Sequence, residues 1–184
     1  MSEEYRLPPG VPSGGPDIGH DPAAAEARGR ALLEQAAAGI VEGVEREAAG
    51  WVVRAVTRVL DAWGRLDDTT RRRALDDAPV AGARARDRVV AELRALFAED
   101  AADQRATPLE IVRGLRHEPT ALLAALGIPE VARDPFAARA FPDDRYDLTI
   151  TTLGDLGDPD LAPLLLAWGL GKATVLRARA ARAE

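Results

Sequence analysis

The chain has 184 residues, 47% of them apolar, and 24 basic against 30 acidic side chains give it a net charge of -6. That length suits a single hydrophobic core. The acidic balance disfavours broad contact with nucleic-acid phosphates or anionic lipid, and the absence of Cys excludes disulfides and thiol chemistry.

Leu, Ile, Val and Phe together number 43, just above the roughly 20% below which highly charged chains stay unfolded. The core is therefore lean. All basic charge except Lys172 is Arg, and Ala is abundant, a bias usual in GC-rich bacterial genomes. The N-terminus is acidic and no apolar segment follows it, so no export leader is expected. The longest uncharged apolar runs, 119–129 and 161–171, are 11 residues each, short of the roughly 20 that span a bilayer. The expectation is a soluble, cytoplasmic protein without membrane insertion.

Residues 1–22 hold Pro8, Pro9, Pro12, Pro16 and Pro22 among four Gly, a composition that cannot sustain a regular hydrogen-bonded element. They read as a disordered arm ahead of a single helical domain, 23–184, with an N-terminal half to 106 and a compact C-terminal half from 107. Asp21 with Pro22 starts a helix. From Ala23 to about Trp63, Leu33, Ala37, Ile40, Val44, Ala48, Val52, Val56 and Val59 recur every three or four residues on one face. This is one long helix, or two broken near Gly50. Gly39 and Gly43 sit four apart, a spacing that lets another helix approach. Asp67 and Asp68 open a short helix to Leu75, and Pro79 starts another to about Glu99 with Val89, Val90, Leu93, Leu96 and Phe97 inside. Arg71, Arg72 and Arg73 form a local basic run, but residues 65–106 carry nine Arg against nine acids, so a solvated face is expected there and no nucleic-acid site.

Thr107-Pro108-Leu109-Glu110 has the residues of a capping box with Pro at the first helical position. Its helix should reach about His117, where Pro119 ends or kinks it. A second short helix follows, carrying Leu122, Leu123 and Leu126, with Gly127 as its left-handed stop. Asp134-Pro135 starts a turn through Phe141, and 142–157 read as an ordered loop. Asp158-Pro159-Asp160 opens a final helix with Leu161, Leu164, Leu165, Trp168, Val175 and Leu176 inside and Arg177, Arg179 and Arg182 in its last turns. The fold expected is all-α, an irregular helical bundle.

Thr107 to Val112, Pro119-Thr120, Gly127-Ile128-Pro129, Phe141-Pro142-Asp143-Asp144-Arg145-Tyr146, Trp168-Gly169 and Gly171-Lys172-Ala173 together resemble small, uncharacterised helical proteins of actinobacteria. The resemblance covers residues 107–179 and implies the helical fold, with no activity to transfer.

Chemistry is bounded by scarcity. The only serines, Ser2 and Ser13, lie in the arm, and His20 and His117 are the only histidines. A serine nucleophile on a rigid scaffold and a multi-histidine metal site are therefore excluded within one chain. Gly169 to Thr174 lacks the first Gly of a phosphate loop and the hydroxyl residue directly after Lys172. Asp143, Asp144 and Asp147 match D-D-x-x-D, carboxylates whose spacing on a helix holds Mg²⁺ against a diphosphate. The motif resembles the aspartate-rich motif of prenyl diphosphate synthases and terpene cyclases, which implies a magnesium site; in the reading built on it, Arg145 or Lys172 is the anion partner. The competing reading is a turn capped by Asp143 or Asp144, with Arg139, Arg145 and Asp134 paired. Lys172 falls on the inner face of the last helix, where its stem can cover Trp168. The leading expectation is a non-catalytic helical interaction protein. Its partner is another protein or a second copy, met through the Ala- and Gly-rich face of 23–63, with no cofactor. The alternative is a magnesium-dependent enzyme or sensor of a phosphorylated small molecule.

Overall fold

The computed structural model describes residues 21–62, 66–127 and 148–183. The fold is all-α, with no strand among the described residues. Helix α1 spans Pro22–Ala62, α2 Asp68–Ala98, α3 Pro108–Val112, α4 His117–Ala125 and α5 Ala162–Ala183. Turns of 3-10 helix at Arg113–Arg116, Leu153–Leu156 and Pro159–Leu161 connect or precede the shorter elements.

Helix α1 is the axis of the molecule. The Asp21 carboxylate accepts from the Ala23 N–H at 2.9 Å, and Pro22 is the first helical residue. No break occurs at Gly50: its helical cost, up to about 1 kcal/mol, is small beside the burial of Ala48, Trp51 and Val52 around it. Trp51, Ala55 and Leu60 are buried in addition to the predicted stripe, because α1 is covered on two sides. Helix α2 runs antiparallel along it, with Gly82 against the Ala49 backbone and Arg71 donating to the Leu60 carbonyl at 2.9 Å. Helix α5 runs antiparallel along its first half, with Gly29 beside Gly171 and Val175, Gly39 beside Leu164, and Gly43 beside Leu161. The Gly39–Gly43 spacing therefore serves a helix of the same chain. The second half of α1 is covered by α4 and by Leu148, Ile150, Leu153 and Leu156.

Two helices predicted for 68–99 are one. Pro79 lies inside α2 on its exposed side, while Ala74, Ala78, Ala81 and Ala85 are buried. The hydrogen bond lost to proline is on the water side, where solvent satisfies the freed carbonyl. The Asp67 side chain caps α2 by accepting from the Thr69 and Thr70 amides. At 107 the capping box is complete: Thr107 Oγ1 accepts from the Glu110 N–H at 3.3 Å, and Glu110 accepts from the Thr107 N–H at 2.7 Å. His117 begins α4 rather than ending a helix, and Pro119 falls in the first turn, where a missing N–H costs little. Gly127 stops α4 with φ +77°.

The predicted loop before α5 is helical in part. Thr152 and Asp155 form a second capping box around the 3-10 turn Leu153–Leu156, and Gly157 leaves it with φ +118°. Three Arg fasten this segment: Arg54 donates to the Leu156 carbonyl, Arg46 to Asp158 at 2.5 Å, and Arg113 to the Ile150 carbonyl at 3.0 Å. Leu161 in the preceding turn and Trp168, Val175 and Ala178 in α5 are buried, but Leu176 is 37% exposed, against expectation. Its neighbour Val175 already fills the inward position over Gly29. Pro159–Ala183 is long and apolar enough, by length and composition, to cross a membrane, a length that the 11-residue uncharged runs did not suggest. Here its inner side is packed on α1.

Candidate interaction surface

Of the predicted site, Asp143, Asp144, Arg145 and Asp147 lie outside the described residues, as do Phe141 and Tyr146. Lys172 is half-buried on α5. Its Nζ donates to the Gln104 carbonyl at 2.5 Å and sits 5.2 Å from the centre of the Trp168 ring. The group over the indole is thus the ammonium itself, which ends on a neutral carbonyl where the reading of its stem over Trp168 sent it to water. It thereby ties α5 to the segment after α2. Among the described residues, no three His, Asp or Glu gather as metal ligands.

Beside this tie, a cleft of about 560 Å³ opens between the start of α1, the end of α2 and α5, with Leu33, Phe97, Gln104 and Trp168 in its walls. Gln104 Nε2 donates to the Leu96 and Glu99 carbonyls at 3.1 and 3.3 Å, closing the end of α2. Its Oε1 and the Trp168 Nε1 are buried without partners among the described residues. At the cleft's rim Glu26, only 5% exposed, accepts from Arg30 at 2.6 Å and from Arg179 at 3.1 Å and pairs with Arg182. Arg179 also clasps Asp100 through two bonds of 2.6 and 2.8 Å. That guanidinium holds the Asp100 carboxyl far below its ordinary range, and Asp100 in turn raises Arg179. Glu26, Arg30, Asp100, Arg179 and Arg182 answer one another, so the network reads as a clamp between α1, the segment after α2 and α5.

The opposite side of α5 differs. Three consecutive leucines, 164–166, cannot all face one neighbour, because successive residues turn 100° around the axis. Leu164 and Leu165 are half-buried; Leu166 is 66% exposed and Leu170, one turn on, 54%. Gly169 lies between them, and a side chain added there would meet nothing within 4 Å. With half-buried Ala173 they make a ridge at i, i+3, i+4 and i+7, the spacing of a helix–helix seam. Arg177 continues the ridge one turn after Ala173, exposed and without an ion pair to a described residue. Leu166 and Leu170 were missed in the sequence; the signal available was the leucine run, too dense for one face. No family model, curated protein or solved structure matches the chain.

Proposed function

We propose that this chain is a helical interaction protein that acts by shape and surface, with the outer face of α5 as its docking surface. The observation that carries this reading is the pair Leu166 and Leu170, more than half exposed on consecutive turns of a rigid helix. Elsewhere among the described residues the exposed large apolar side chains, Leu75, Val80 and Leu176, are scattered, as on any surface. The covered α1 face, expected to meet the partner, is filled by α5, which moves the available surface to the other side of α5. The scarcity of nucleophiles supports the same reading. A photo-crosslinking residue at position 166 in cells should give discrete adducts, and the same residue at Arg72 on α2 should not. No adduct from position 166, or the same adducts from both, would remove the proposal.

A further inference from the structure

We propose that the cleft between the start of α1, the end of α2 and α5 binds a small uncharged molecule bearing an amide edge, an N–H beside a C=O. The site lies apart from the outer face of α5 and stands whether or not that face docks a partner. The cleft, about 560 Å³, has Gln104 and Trp168 in its walls, both more than nine-tenths buried, and each carries a polar atom without a partner among the described residues. Trp168 Nε1 can only donate and Gln104 Oε1 can only accept. Buried polar atoms are paired in nearly every case, because they have lost water and need a replacement for it. These two call for a group that accepts from one and donates to the other, as an amide edge does.

Neither atom is relieved by turning its side chain over. Gln104 Nε2 is held by the Leu96 and Glu99 carbonyls, which fixes the amide. Lys172 donates to the Gln104 backbone carbonyl while lying over the indole, so it keeps the two residues side by side. Polar groups already fixed in place need little further ordering on binding. Leu33, Ala37 and Phe97, all half-buried, give the cleft an apolar wall for the body of the ligand. Both polar atoms lie under the cleft surface, and the ligand reaches them by turning aside Leu33 or Phe97.

Charge excludes the ionic alternatives. Arg30 and Arg179 are engaged by Glu26 and Asp100, whereas Glu34 and Glu99 in the cleft walls are exposed and without ion pairs among the described residues. A carboxylate or phosphate therefore meets repulsion. An ammonium offers the Trp168 N–H no acceptor.

The probe is pyridone, a flat ring with one amide edge. Titrated to about 20 mM into the nitrogen-15-labelled full chain, it should move the Trp168 indole N–H resonance downfield and saturably, in the millimolar range that so small a ligand reaches. Trp168→Phe identifies that resonance. N-methylpyridone, which cannot donate to Gln104, and benzoate should bind about tenfold more weakly, the loss expected for one hydrogen bond or one repelled charge. Ala37→Phe, which fills the cleft from α1 and leaves Gln104 and Trp168 in the chain, should abolish the shift while the other indole resonances stay in place. No saturable shift, equal binding of the three probes, or a shift that survives Ala37→Phe overturns the proposal. A Trp168 proton that cross-relaxes with a long-lived water and ignores pyridone assigns the pair to an ordered water only and overturns it too.

Discussion

Asp155 shows how much one small side chain organises. Burial alone would raise its carboxyl. The Thr152 amide, the Thr151 hydroxyl and amide and the Thr152 hydroxyl all donate to it, and together they hold it down at about 2. A carboxyl lowered by folding stabilises the native state fully above its unfolded value near 3.8, and that share is lost as pH falls toward 2. Asp155→Asn should therefore cost about 1 kcal/mol at pH 7, as removal of a cap does, or a drop of about 2–4 °C in melting temperature. The gap to wild type should close between pH 4 and 2 in thermal melts. A gap that persists at pH 2 would mean that the carboxylate's charge is not what the threonines recognise.

At the scale of elements, glycines divide into those that seat a neighbour and those that do not. A Cβ on Gly82 would lie 2.7 Å from the Ala49 carbonyl oxygen, a backbone atom that cannot step aside. Gly82→Ala should cost about 1–3 kcal/mol from overpacking. Gly50 meets only the tip of Arg54, so Gly50→Ala should gain up to about 1 kcal/mol of helix propensity. Urea unfolding of the two variants should move the midpoint in opposite directions, and a shift of the same sign in both would contradict the packing described. The same division explains what the sequence disclosed. The caps at Asp67 and Thr107 and the stop at Gly127 were legible because capping is settled within four residues. The stripe from Ile40 to Val59 was legible because its period is regular. Pro79 misled because its penalty is local while the Ala74–Ala85 face that outweighs it gains only from contact with α1. Trp51 and Leu60 were missed because a stripe assumes one neighbour and α1 has several. Lys172 was legible as a residue of the inner face of the last helix, but its partner, the carbonyl of Gln104, carries no sequence signal at all. Leu166 and Leu170 became recognisable only once Leu161, Trp168 and Val175 had claimed the inward side.

For the whole molecule, the dependence of α1 on α5 sets cooperativity. Removing residues 158–184 would uncover Gly29, Ala36, Ile40 and Gly43, positions otherwise buried along the first half of α1. Its lean core leaves little to offset that exposure. The shortened chain should bind an apolar dye such as anilinonaphthalene sulfonate and lose its sharp thermal transition, with helical circular dichroism only partly reduced. A sharp, dye-free transition in the shortened chain would show that α1 and α2 close a core without α5.

The clamp at Glu26 also has a consequence in time. Its partner Arg179 lies 153 residues further along the chain. At about 5–20 residues per second on the ribosome, Glu26 is made some 8–30 s before Arg179, and until then Arg30 is its only partner from the clamp. For that interval the glycine-lined flank of the first helix is bare on the nascent chain. Closure of the clamp on this flank therefore waits until α5 has been made.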